Sequence, residues 1–276
     1  MGRCVYCGEQ TRFLSKSHKA CLEKHEQGKK DIVNKIKVRG FGALDVEGLD
    51  KQIQAVAKNS FLDASATQQL VIQGWEAAVE AAFEDGVLEP EEESALFALM
   101  NHFSLTQQQL DRNGAFSRVV KGTVLREVLN GKLPEAIQFH GNIPFNFQKS
   151  EQLVWMFEDV DYFEDRTRTH YVGGSQGFSV RIAQGVYFRT GGFRGERVQT
   201  TETEHRDTGL MAVTTKHIYF AGSRERFRIA FRKIVCFEPF EDGIGVQRDA
   251  KTAKPQSFRT GDGWFAYNLI SNVAQM

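Results

Sequence analysis

The sequence predicts an α+β multidomain chain: a small zinc knuckle, then an all-helical bundle, then a β-barrel closed by a C-terminal helix. Three observations carry this. Three cysteines and two histidines fall between Cys4 and His25. Apolar residues then recur at three- and four-residue steps as far as Pro134. After Pro144 the pattern changes to short strand-like runs separated by glycines and charges. The expected boundaries are 1–30, 31–145 and 146–276. Charge divides along the same lines. Residues 1–40 hold ten Lys/Arg against four Asp/Glu, residues 41–150 eight against fifteen, and residues 151–276 seventeen against sixteen. Balances of +6, −7 and +1 within a neutral chain point to separate modules.

The knuckle is Cys4-Val5-Tyr6-Cys7-Gly8. Two thiolates sit on a tight turn, and Gly8 lets the backbone fold beneath a metal. The second ligand pair has two readings. His18 with Cys21 gives C-x2-C-x10-H-x2-C; Cys21 with His25 gives C-x2-C-x13-C-x3-H. Ser17 can cap a helix on which His18, Cys21 and His25 share one face. Zinc takes four ligands, so one histidine is surplus. A ligand pair in the first helical turn needs little intervening chain, which favours Cys4, Cys7, His18 and Cys21, with His25 as the alternative. The module is basic (Arg3, Arg12, Lys16, Lys19, Lys24, Lys29, Lys30), as a phosphate backbone requires. A unit this small has almost no core, however, so the metal must hold it together whatever its task. A lone finger with few base-reading side chains makes a poor sequence reader. The zinc is expected to be structural or protein-docking.

The helical module is read from Val71, Trp75, Ala78, Val79, Ala82 and Phe83, and again from Leu96, Phe97, Leu99, Met100 and Phe103. Between them, Gly86 ends one helix, Pro90 fits the first turn of the next, and Glu91, Glu92 and Glu93 favour its positive end. Thr106 with Gln109 forms a capping box. A calcium loop centred on Gly86 would put Ala81 and Phe83 at liganding positions, so none is expected. The stretch "AAFEDGVLEPEEESALFALMNHFSLTQQQL" resembles tellurite-resistance TerB-like helical domains, over about residues 50–135. That resemblance implies a non-enzymatic domain in bacterial stress response or phage defence. It also places Glu84, Asp85, Glu89 and Glu92 as metal-binding candidates, against the plainer reading of a solvated acidic face.

The C-terminal module offers strand-like runs "LVWMF", "THYV", "FSVRIA", "VYFR", "LMAVTT", "HIYFAG", "FRIAF" and "IVCFEPF". Asp262 can cap a closing helix with Trp264, Phe265, Leu269 and Val273 on its apolar side. The segment "GLMAVTTKHIYFAGSRERFRIAFRKIVCFEPFEDGIGVQRD" resembles bacterial PH-like or GRAM-like domains through Gly209, Thr214, Ile218, Phe220, Gly222, Lys233, Ile234, Val235, Asp242, Gly243 and Ile244. The resemblance implies a barrel over roughly 150–276. Arg224, Arg226, Arg228, Arg232 and Lys233 form a basic stripe that can meet a head group, a nucleic-acid backbone or an acidic protein. The plainer reading is a solvated face that protects a sheet edge.

The G-x-S-x-G spacing from Gly173 to Gly177 is not followed by helix-opening sequence, so no nucleophile elbow is read, and no P-loop is present. The glycine-rich "YVGGSQGFSV" runs into strand-like sequence and reads as a hairpin. His170, His205 and His217 show no nucleophile partner, and Cys236 reads as a small buried residue. The four cysteines suit a reducing cytoplasm with a metal site. No apolar run approaches the roughly 20 residues of a membrane helix, and no signal-peptide core or myristoylation motif is read at the start. The expectation is a cytoplasmic, non-enzymatic zinc adaptor with a protein partner. Nucleic-acid contact is expected to be weak, peripheral membrane contact is not expected, and no small-molecule substrate is identified. The rival is a nucleic-acid accessory factor using the knuckle and the arginines. A metal-dependent enzyme built on the acidic joint ranks third.

Overall fold

A computed structural model describes residues 2–12, 15–39, 45–84, 86–134, 143–172, 196–250 and 252–276. It separates into two compact units, Met1–Lys132 and Leu133–Met276. The glycine-rich stretch from 173 onward, the predicted strands "FSVRIA" and "VYFR", and Asp85 lie outside the described residues.

In the first unit the knuckle leads directly into α1 (Lys19–Arg39). There follow α2 (Val46–Asn59), α3 (Ala64–Ala82), α4 (Pro90–His102), the single turn α5 (Gln107–Leu110) and α6 (Ala115–Leu129). The starts are chemical. Asp45 accepts from the Gly48 N–H at 2.9 Å and Asp63 from the Ala66 N–H at 2.7 Å, each satisfying a donor the helix cannot reach. The Thr106–Gln109 box forms as expected, with the Thr106 N–H donating to Gln109 Oε1 at 2.8 Å. Helix α3 is central and buries Leu70, Val71, Trp75, Ala78, Val79 and Ala82. Trp75 is fully buried, and its indole N–H donates to the Leu96 carbonyl at 2.9 Å, so the largest core residue leaves no polar atom orphaned. Ile32 and Ile36 of α1 and Leu49 and Ile53 of α2 complete the same core.

The second unit is an antiparallel sheet: β1 (Leu153–Val172), β2 (Glu196–Thr214), β3 (His217–Gly222), β4 (Arg226–Ala230), β5 (Ile234–Pro239), β6 (Gly243–Arg248) and β7 (Gln256–Arg259). The order is β4-β3-β2-β1-β7-β6-β5. The expected barrel is therefore not closed: among the described residues β4 and β5 stand at opposite edges and do not pair. A 3-10 turn, Phe231–Lys233, carries the chain from one edge to the other. The sheet still curls onto itself. Tyr162 on β1, Phe220 on β3, Phe227 on β4 and Phe258 on β7 meet inside, with Phe227 and Phe258 centroids 6.3 Å apart. Helix α7 (Gly263–Val273) packs against β5 and β6 and buries Phe265, Ala266, Leu269, Ile270 and Val273. Asp262 caps it, accepting from the Phe265 N–H at 3.0 Å. Trp264, expected on the apolar side, is 56 % exposed: it stands one residue off the buried stripe, at about 100° around the helix. No helix among the described residues is long and apolar enough to cross a membrane.

Candidate metal centre

The knuckle is a miniature hairpin. Arg3 and Gln10 form an antiparallel bridge, the Cys4 N–H donates to the Glu9 carbonyl at 2.8 Å, and the Gly8 N–H returns to the Cys4 carbonyl at 2.9 Å. Gly8 has φ +77°, a conformation that favours glycine, so the residue after the second cysteine turns the chain as the spacing requires. The Val5 N–H reaches the Lys16 carbonyl at 3.0 Å and ties the turn to the approach of α1. His18 stands immediately before α1, and its carbonyl accepts from the Leu22 N–H at 3.1 Å. Helix α1 begins at Lys19, so His18, and not Ser17, is the residue that precedes it.

These elements bring Cys4, Cys7, His18 and Cys21 together, with one ligand atom from each lying within 4.8 Å of the others. His18 Nδ1 lies 3.4 Å from Cys7 Sγ and 3.8 Å from Cys21 Sγ. Four donors at the vertices of a tetrahedron about 2.3 Å from a metal stand roughly 3.8 Å apart, so the set fits one ion. The imidazole is oriented from behind: His18 Nε2 lies 2.9 Å from the Gln10 carbonyl. That contact fixes the tautomer with the proton on Nε2 and leaves the Nδ1 lone pair aimed at the sulfurs. Burial opposes ionisation of the Cys4 thiol, but backbone N–H groups of Cys7, His18 and Tyr6 outweigh it and lower the pKa from 9.0 to about 6. Burial, together with the Cys7 and Cys4 sulfurs, pushes the Cys21 thiol up to about 11. Three thiols this close cannot all ionise without a cation, and a metal relieves that conflict.

His25, the alternative ligand, is engaged elsewhere. Its Nδ1 lies 2.8 Å from the Ser60 carbonyl at the end of α2, and its ring meets Tyr6 at 4.6 Å with the planes tilted by 34°. Tyr6 also meets Phe61 at 5.9 Å, and Lys24 lies 5.7 Å from the centre of that ring. Phe61 holds φ +58°, unusual for a bulky side chain, at the corner between α2 and α3. Tyr6, Ser60 and Phe61 thus dock the knuckle onto the helical core. Sequence reasoning missed them; the one available signal was an aromatic between the two knuckle cysteines.

The acidic joint has structural work. The Glu92 carboxylate accepts from the Glu89 N–H at 3.0 Å. Glu93 pairs with Arg126 of α6, which also donates to the Leu88 carbonyl at 2.6 Å. Of the two other candidates of that group, Glu84 is exposed and Asp85 lies outside the described residues.

The basic stripe is not one strand face. Arg226 and Arg228 point outward from β4, opposite Phe227 and the buried Ile229. Arg224 belongs to the preceding turn, and Arg232 and Lys233 to the 3-10 turn, because the strand ends at Ala230. That turn breaks the alternation the sequence suggested. Cys236, expected to be buried, is exposed on β5. His217 is paired with Glu151, which also accepts from the Tyr219 hydroxyl at 2.7 Å. His205 Nε2 lies 3.2 Å from Asp161 and 3.1 Å from Thr208, both on the same nitrogen, so the ring cannot relay a proton between them. The side chain of His170 lies outside the described residues.

No family model matches the chain, and no curated protein matches it.

Proposed function

We propose that the chain is a zinc-stapled interaction protein, non-enzymatic and cytoplasmic. The observation that carries this reading is the closed donor set of three thiolates and one oriented imidazole nitrogen. Soft and borderline donors in a tetrahedral set select zinc, and a site filled by four protein ligands keeps no position for substrate or water. When bound, zinc supplies cross-linking and charge neutralisation. The chain's own residues do the rest: Gln10 fixes the imidazole, Gly8 turns the backbone, and Tyr6 with His25 passes the ordered knuckle on to the α2–α3 corner. Zinc affinity thereby becomes folding free energy of the N-terminal hairpin.

The finer readings belong to the same proposal. The helical unit is taken as TerB-like and the sheet unit as PH-like, supported by the strand order and the helix that follows β7. Those resemblances imply a setting in bacterial stress response or phage defence, with a protein partner. The nucleic-acid reading draws on the basic knuckle, yet Lys19 pairs with Glu23 at 3.7 Å, which offsets part of the charge offered to a phosphate chain. Elemental analysis of chain purified from zinc-replete medium tests the proposal. About one zinc per chain, held without a chromophoric or redox signature, is the expected result. A redox-active metal, or none, would overturn it.

A further inference from the structure

Beside the arginines the sheet unit carries a shallow, open depression of about 240 Å³ on the outer face of β3 and β4. Its walls are Phe145 and Asn146 of the segment leading into β1, and Arg226 and Arg228 of β4. Ala221 leaves room between them. The Phe145 side is held firmly: its ring meets Phe147 at 5.9 Å and Tyr219 at 5.7 Å, and Tyr219 is pinned by Glu151. The slot is thus preformed, apolar on one side and doubly cationic on the other.

On the cationic side Arg228 is engaged by the Tyr219 hydroxyl, which Glu151 holds. Among the described residues neither Arg226 nor Arg228 makes an ion pair, whereas nearby Arg206 holds both Glu225 and Glu204. Among the described residues Arg226 donates to the Gly222 carbonyl, at 3.4 Å. The two guanidiniums are two residues apart on one strand face, about 6.6 Å along the chain, which is the spacing of alternate side chains in an extended peptide. Among the described residues β4 is a terminal strand of the sheet, so one row of its N–H and C=O groups faces away from β3.

We propose that this edge and slot form the docking surface for an extended acidic segment of a protein partner. The inference rests on the interaction-protein reading above and names the chemistry of its partner. Carboxylates at alternate positions of the segment stand opposite Arg226 and Arg228. Its backbone continues the sheet along β4, and one aromatic or long aliphatic side chain enters the slot beside Phe145. A second copy of this chain is disfavoured at the same edge, because antiparallel β4–β4 pairing brings arginines against arginines. A phosphate backbone would supply the charge but not the strand hydrogen bonds, and Tyr219, only 5 % exposed, offers no face for base stacking.

The test uses the full chain with zinc bound. The probe is a fluorescein-labelled ten-residue peptide with glutamates at alternate positions and one phenylalanine among them. Controls are its glutamine counterpart and a ten-nucleotide single-stranded RNA. The expected result is saturable anisotropy with the glutamate peptide, weakened about tenfold in R226A/R228A. Ala221→Leu, which fills the slot without touching a charge, should weaken the same peptide while thermal unfolding stays at the parent temperature. Equal binding of the glutamate and glutamine peptides, indifference to all three substitutions, or tighter binding of the RNA would each overturn the proposal. Affinity capture from a bacterial lysate separates the two readings. A partner retained equally by the parent and by R226E/R228E keeps the adaptor reading and sinks the slot; loss of every partner from the parent chain sinks the adaptor reading itself.

Discussion

Helices α1 and α3 come close together where Gly74 faces Ile36. A methyl group built on Gly74 would lie 2.8 Å from both Cβ and Cδ1 of Ile36, and 3.2 Å from Cγ2. Cβ is tied to the backbone, so Gly74→Ala cannot be absorbed by a rotamer change at Ile36; the helices must separate by several tenths of an ångström. Overpacking of this kind costs about 1–3 kcal/mol, while alanine in place of a mid-helix glycine returns about 1 kcal/mol. The expected net loss is therefore about 0–2 kcal/mol. In an Ile36→Ala background the clash is gone and the new methyl fills part of the void. There the same substitution should stabilise, by about 0.5–1 kcal/mol. The difference, a coupling of roughly 2 kcal/mol, is a direct reading of the α1–α3 contact. Urea unfolding followed by circular dichroism at 222 nm, which weights the helical unit, measures all four corners of the cycle. The same change in both backgrounds would show that these helices do not meet as described.

Four other outcomes follow from named contacts. Asp207 accepts N–H bonds from Glu225 and Arg224, and the Ser223 hydroxyl and Thr208 N–H add to them, holding its carboxyl down from 3.8 to about 2. Its folded pKa is depressed, so its contribution is complete above about pH 4 and disappears as pH falls through 2; Asp207→Asn should flatten the melting-temperature profile of the sheet unit in that window, and an unchanged slope would refute the turn-holding role. His25→Ala should keep its zinc but lose about 0.5–1.5 kcal/mol of helical-unit stability with the Ser60 contact; zinc loss would contradict the docking assignment. The acidic joint should show no micromolar calcium binding by calorimetry, since Glu92 and Glu93 are engaged by the Glu89 N–H and by Arg126. The full chain should bind DNA and RNA only at the non-specific level of roughly 10⁻⁴–10⁻⁶ M near 150 mM salt; a nanomolar affinity lost in R226E/R228E would promote the nucleic-acid reading.

Much of the metal centre was legible because ligand spacing is local. C-x2-C forces a turn, and His18 with Cys21 falls within one helical turn, so the sequence constrains the geometry directly. Spacing favoured His18 over His25, but what engages His25 instead was not legible: it is the Ser60 carbonyl, 35 residues away in the chain. The helices were legible for the same local reason. Asp63, Pro90 and Thr106 act at their own helix starts, and Trp75 marks a periodic apolar face. In the sheet unit, strand runs were readable but order was not. Nothing in "RFRIAFR" distinguishes a strand that continues through Arg232 from one that ends at Ala230 in a 3-10 turn, and that turn decides where the arginines point. Barrel closure failed for a related reason, since alternation reports faces and not neighbours. The slot beside Phe145 was invisible, because it is walled by residues about 80 positions apart.

The central claim is that one metal ion is held by Cys4, Cys7, His18 and Cys21, with His25 serving the helices instead. Zinc per chain, measured by elemental analysis on the parent, His18→Ala and His25→Ala purified side by side, tests it most directly. The predicted result is about one equivalent in the parent and in His25→Ala, and less than about half an equivalent in His18→Ala. Retention of zinc by His18→Ala together with its loss from His25→Ala would contradict the account.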